Sequence, residues 1–193
     1  MNFLAHLWLA ERSGTSLAGS ILGDVVHGAD LSAYPDDIAL GIRLHRRVDA
    51  QTDRHPAVRV LREGFAPGTR RYAGIVLDLG FDHALAVDWR RYSDEPLSVF
   101  CDRAGVAIAD AAPWFELAGG RRTSAAAFGS LLRSYAEPSG IAQALTRTAA
   151  RLRRPQALLD AAHAWADHLP QLHAQLPGLL QVLQQTMAEA PGV

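Results

Sequence analysis

The sequence predicts an all-α fold, a single-domain helical bundle of about seven to nine helices. Apolar residues recur at i, i+3, i+4 and i+7 along most of the chain, the spacing that gathers one face of a helix. No segment alternates apolar and polar residues long enough to make a half-buried strand. No Pro/Gly/Ser-rich linker divides the 193 residues, a length sufficient for one domain with a sizeable core.

Residues 2–11 read as a short helix broken at Gly14, with Phe3, Leu7 and Ala10 on one side and His6 beside Leu9 on the next. Thr15 or Ser16 can cap a second helix over 17–26 that ends at Gly28 and turns Asp24 inward. Pro35, Asp36 and Asp37 suit the first turn of a long helix over 36–53. Its inner face mixes Ile38, Ile42 and Val48 with His45 and Asp49, one turn apart. A turn at Asp53, His55 and Pro56 leads to a short helix over 57–65. The next helix, about 69–92, contains the most apolar stretch of the chain, residues 72–87, whose only charged or imidazole groups are Asp78, Asp82 and His83. Further helices are expected over 96–112, 124–136 and 140–153, with a Gly/Arg-rich loop at 116–123. A last helical region, 156–188, is expected to break near Pro170 and Pro177.

The formal charge of −1 argues against a general nucleic-acid binder. All 19 basic residues are Arg, several of them clustered, as at Arg43/Arg46/Arg47 and Arg70/Arg71, where they can engage phosphate or an acidic partner. A single cysteine, Cys101, rules out an intramolecular disulfide framework and suits a reducing cytoplasm. The opening MNFLAHLWLA lacks a basic n-region and is cut short by Glu11 and Arg12, so neither a signal peptide nor a membrane span is expected. The expectation is a soluble cytoplasmic protein.

The chemistry-bearing residues are His6, Asp24, His45/Asp49 with Asp53 following, and Asp78/Asp82/His83. Carboxylates on an apolar helix face are costly unless paired, hydrogen-bonded or bound to metal. Imidazoles and carboxylates without thiolates suit a divalent ion such as Mn, Fe, Mg or Zn. Plainer readings stand beside this one. His6 fits a satisfied core histidine, Asp24 a hydrogen-bonded carboxylate, His45/Asp49 an ion pair and Asp53 a helix cap. Asp78 and Asp82 are hardest to explain without a cation, because no basic residue lies within one turn of them. A second group, His163, Asp167, His168 and His173, sits in an Ala/Leu-rich amphipathic region and reads as a solvated face.

At these residues the chain resembles the acyl carrier protein phosphodiesterases. MNFLAHLWLA, SLAGSILGDVVHG, GIRLHRRVDAQTDRHP and RRYAGIVLDLGFDHALAVDW carry the likeness in that order, over about residues 1–92. The C-terminal half matches more loosely, through LTRTAARLRRP. The resemblance implies a helical fold distantly similar to HD-type metal phosphohydrolases, and Mn-dependent hydrolysis of holo-acyl carrier protein to apo-protein and 4'-phosphopantetheine, with Fe2+ or Mg2+ as other candidate ions. The His-Asp dipeptide of HD enzymes is absent, and Asp82-His83 is its reverse. Carried over, the matching residues give His6, Asp24, His45, Asp78, Asp82 and His83 as metal candidates. Asp24, Asp49 and Asp53 become candidates for handling the water's proton or orienting a ligand, and Arg46 for clamping the phosphate. Arg43, Arg47, Arg70 and Arg71 are candidates for docking an acidic carrier protein. Two alternatives remain: an HD-like hydrolase of nucleotides or other small phosphodiesters, and a non-catalytic helical binding protein with a polar core.

Overall fold

The computed structural model describes residues 1–163 and 165–188, and over them the chain forms eleven α-helices and no strand. The helices are α1 (Phe3–Arg12), α2 (Leu17–Leu22), α3 (Asp36–Arg54), α4 (Pro56–Glu63), α5 (Ala73–Val87), α6 (Leu97–Asp110), α7 (Ala112–Leu117), α8 (Ala125–Ser134), α9 (Pro138–Ala149), α10 (Pro155–Ala162) and α11 (Trp165–Ala188). Short 3-10 turns at Arg70–Tyr72 and Trp89–Arg91 flank α5.

Two differences from the sequence reading raise the number of helices. Pro113 opens α7 instead of following α6, because a proline in the first turn gives up only an N–H that has no helical partner. The last region divides at His163, and α11 then runs unbroken through Pro170 and Pro177. Both prolines are exposed, so the backbone bonds they remove lie on the outer side, where water can serve the freed carbonyls. The second helix is shorter than expected: α2 stops at Leu22, and Gly23, Asp24 and Val25 continue as a turn.

Helix α5 is central. Eleven of its residues are buried, on all sides rather than along one stripe, and α1, α4, α9, α10 and α11 pack around it. The C-terminal helix α11 lies on α5 and α3. Two histidines read from the sequence as solvated help to seat it: His173 Nδ1 lies 2.9 Å from Asp88 Oδ2, and the His168 ring stacks on Phe65 with centroids 4.6 Å apart. Among the described residues, no helix is long and apolar enough to cross a membrane.

Candidate metal centre

Two glycines set the distance between α2 and α3. A Cβ on Gly19 would lie 2.9 Å from the Gly41 Cα and 2.6 Å from the Ile38 carbonyl oxygen, so the helices meet backbone to backbone. Ser16 caps α2, its hydroxyl accepting from the Gly19 N–H at 3.2 Å, a contact that contributes about 1 kcal/mol. This approach brings the last turns of α2 onto His45, whose ring lies directly over Gly23. A Cβ there would fall 2.2 Å from the ring's Cγ.

His45 is held at both nitrogens. Its Nδ1 donates to the Ser20 carbonyl at 2.6 Å, and its Nε2 lies 3.1 Å from Asp49 Oδ2 and 3.4 Å from Asp24 Oδ1. From α1, His6 stacks on His45 with centroids 3.9 Å apart and places its Nε2 3.0 Å from Asp49 Oδ1. His6, His45 and Asp49 thus present ligand atoms that all lie within 4.8 Å of one another.

The tautomer of His45 follows from its neighbours. A carbonyl can only accept, so Nδ1 carries a hydrogen, and in a neutral ring Nε2 would turn a lone pair toward two carboxylates. That contact is repulsive unless Nε2 holds a proton or a cation lies between. Burial by itself would lower the His45 pKa, but the hydrogen bonds to Asp24 and Asp49 overcome it and hold it at about 9. Burial dominates at His6 and, despite the bond to Asp49, brings it down to about 4. Burial would raise the Asp49 pKa, but the bonds from His45 and His6 outweigh it and the carboxyl stays ionised. Two imidazole nitrogens and a carboxylate, with a backbone carbonyl fixing one ring, make a donor set that fits a divalent metal.

Asp78, one-third exposed, lines the adjoining cavity and accepts from the Met1 amine at 2.9 Å. Asp82 turns elsewhere: fully buried, it accepts the Leu4 N–H at 2.7 Å on Oδ2 and the Ala5 N–H at 3.1 Å on Oδ1. It therefore closes the first turn of α1, whose orphan donors and positive dipole end suit an anion. Burial nonetheless raises its pKa to about 7 against those two bonds. His83 is not brought to the cluster either. Its Nδ1 donates to the Tyr135 carbonyl at 2.7 Å, and its ring meets Trp165 edge-on.

Asp53 is tied to Arg62, 2.5 Å from Oδ1 to Nη2. Arg46 donates to the Val26 carbonyl at 2.8 Å and so fastens the segment after α2 to α3 instead of facing the cavity. Arg70 bonds the carbonyls of Phe65 and Glu63, Arg43 is exposed and Arg47 half-buried. Of the four arginines read as docking candidates, Arg71 lines the cavity.

That cavity, about 480 Å³, is bordered by Asp24, Asp49, Asp53 and Asp78 and by Arg62, Arg71, Arg147 and Arg151. Arg151 belongs to the Arg151/Arg153/Arg154 cluster visible in the sequence, whereas Arg62 and Arg147 were not singled out by the sequence reading. Arg147 and Arg151 lie one turn apart in LTRTAARLRRP, a spacing that hints at a shared face, whereas nothing in the pattern of α4 marks Arg62.

A family model described as acyl carrier protein phosphodiesterase matches residues 1–183. The chain is also similar to proteins named acyl carrier protein phosphodiesterase from Salmonella agona, Salmonella heidelberg and Salmonella typhimurium, each 46% identical over 114 residues. These alignments cover 58% of this chain and 59% of each relative, so the chain spans less than two-thirds of the length of the curated relatives it matches. No solved structure matches it.

Proposed function

The chain belongs to the acyl carrier protein phosphodiesterase family, and from that membership we propose that it is a metal-dependent phosphodiester hydrolase. Its proposed reaction removes 4'-phosphopantetheine from holo-acyl carrier protein and leaves the apo-protein. The observation that carries the reading is the His6–His45–Asp49 cluster opening, beside Asp24, onto an arginine-bordered cavity.

His6, His45 and Asp49 would hold the cation, with Mn2+ the ion proposed. A divalent ion there supplies Lewis acidity toward phosphoryl oxygens and makes water a stronger acid. Ser20 keeps His45 in the ligating tautomer through its carbonyl, and the stack with His6 fixes both ring planes. Asp24, nearly half exposed at the cavity, is the proposed acceptor of the attacking water's proton. The water oxygen bonds to phosphorus, the bond from phosphorus to the carrier's serine oxygen breaks, and that oxygen takes up a proton. Guanidinium groups at the cavity offset the charge on the non-bridging oxygens. The proposed setting is the cytoplasm, where the buried Cys101, its pKa pushed up to about 12 by burial, stays a thiol.

The test is to incubate the purified chain and Mn2+ with holo-carrier protein. The carrier's mass should fall to that of the apo-protein, and 4'-phosphopantetheine should appear. An unchanged carrier mass with Mn2+, Fe2+ and Mg2+ alike would overturn the reading, and cleavage of free nucleotides alone would change the substrate class.

A further inference from the structure

The cavity border carries four guanidinium groups beside four carboxylates that are already engaged, Asp53 with Arg62, Asp78 with the Met1 amine and Asp24 and Asp49 with the histidines. The four arginines are not neutralised as a set. They come from three places: Arg62 from α4, Arg71 from the turn before α5, and Arg147 and Arg151 from α9 and the residues after it. Among the described residues, Arg71, Arg147 and Arg151 have no carboxylate within ion-pair distance, and an anion in the cavity would offset their charge.

Of the four, Arg62 is the one with a built seat. Asp53 takes its Nη2 at 2.5 Å. Its Nε is buried and has no partner among the described residues, which leaves part of the planar fork unused. Its guanidinium rests against the backbone of α5 at Gly74, where a Cβ would lie 3.0 Å from Nη2 and 3.7 Å from Cζ. A Cβ at 74 would be in tight contact with the group, which would have to give by a few tenths of an ångström. A long, flexible arginine is thus fixed in advance at the cavity border, which removes the entropy cost of ordering it when a ligand arrives.

We propose that Arg62, tethered by Asp53 and seated over Gly74, is the anchor of an anion subsite that takes a phosphate group, with Arg147 and Arg151 completing it. This rests on the phosphodiesterase reading above and extends it: Arg62 takes the clamping role, while Asp53 positions Arg62 and handles no proton. The ligand class is a tetrahedral oxyanion, the phosphoryl group of a phosphodiester or its phosphomonoester product.

The test measures binding of inorganic phosphate to the full chain by calorimetry, both with Mn2+ bound and after chelation. Arg62→Ala should weaken phosphate binding tenfold or more in whichever form binds it. Arg62→Lys should not restore it, because an ammonium lacks the planar fork, and Gly74→Ala should weaken it by displacing the guanidinium. Arg59→Ala, exposed on α4 and not bordering the cavity, should leave it unchanged. Should Arg62→Ala lose its fold, Arg62→Lys and Gly74→Ala carry the test. Unchanged phosphate affinity in the folded Arg62 and Gly74 variants, or no phosphate binding by the parent chain in either form, would overturn the proposal. Turnover of holo-carrier protein is read separately. Phosphate binding lost with Arg62 but no diester cleavage by the parent chain would leave the subsite standing and remove the proposed reaction.

Discussion

The imidazole rings of His6 and His45 lie face to face, 3.9 Å between centroids and 21° between planes, with the Asp49 carboxylate bridging their Nε2 atoms. Two imidazoliums stacked so closely would repel, and the surroundings divide the pair: burial holds His6 at about 4, while Asp24 and Asp49 hold His45 at about 9. At neutral pH His45 therefore carries a proton on the nitrogen that a metal needs. Mn2+ affinity should rise by up to about tenfold per pH unit until pH about 9 and then level off. Calorimetry in two buffers of different ionisation heat should read about one proton released. Affinity independent of pH between 6.5 and 9 would count against this ligand set.

The same proton bears on stability. Because the folded-state pKa of His45 is raised above its ordinary 6.5, the stabilisation is fully present below that pH and is lost as pH rises through about 9. Metal-free protein should lose on the order of 2–3 kcal/mol across this window, measured by urea unfolding. His45→Gln should show a flatter profile.

Asp82 should behave as a structural residue. Asp82→Ala leaves the Leu4 and Ala5 N–H groups buried without an acceptor and should cost about 2–3 kcal/mol, while Mn2+ content stays near that of the parent chain. Its pKa is raised from 3.8 to about 7, so the parent chain should lose stability as pH climbs between those values, a loss absent from Asp82→Asn. Metal loss with an unshifted unfolding midpoint would return Asp82 to the ligand set.

The contrast between Asp82 and Asp49 marks what the sequence could and could not reveal. Helical periodicity identified the all-α fold, the inward turn of His45 and the long apolar stretch that becomes the buried α5, because burial of one face is a local property of spacing. It also turned Asp24 inward, and Asp24 is nearly half exposed because α2 ends before it. Partners are not local. Asp82 has no basic residue within a turn, yet its partners are the backbone N–H groups of α1, more than seventy residues away in sequence. Likewise Arg46 and Arg62 look alike as helical arginines, and only the packing of α2 on α3 and of α4 on α5 ties one to Val26 and seats the other at the cavity.

Removing the charge of Asp49 tests the cluster directly. Asn keeps one carbonyl oxygen but turns an NH2 toward one of the two imidazoles, so Asp49→Asn should weaken Mn2+ binding by at least about 100-fold and abolish turnover, with the far-ultraviolet circular dichroism unchanged. An active, metal-replete Asp49→Asn protein would show that the ion binds elsewhere.

If the proposed substrate is an acidic carrier protein, its docking should be electrostatic, since Arg71, Arg147 and Arg151 border the cavity and are exposed. KM for holo-carrier protein should rise steeply between low and physiological salt, where screening shortens to about 8 Å, with kcat little changed. A flat salt response would mean that apolar contacts dominate docking.

Gly23→Ala reaches the candidate metal centre by pressing on His45 without replacing any proposed ligand. Gly23 has ordinary helical angles, φ −54° and ψ −31°, and at such a position alanine normally stabilises by about 0.5–1 kcal/mol by narrowing the unfolded ensemble. Here the new Cβ would fall 2.2 Å from Cγ and 2.3 Å from Cδ2 of His45, far inside contact distance. The ring would have to leave its place over the turn, breaking the bond from Nδ1 to the Ser20 carbonyl and the stack on His6. The sign should therefore reverse: Gly23→Ala should destabilise by at least about 1 kcal/mol and lower Mn2+ affinity tenfold or more. Gly178→Ala in α11, where nothing lies within 4 Å of the added Cβ, should show the ordinary small gain and unaltered metal binding. Equal effects at the two glycines, read from unfolding midpoints and Mn2+ titrations, would mean that the His45 ring is not confined by the turn after α2.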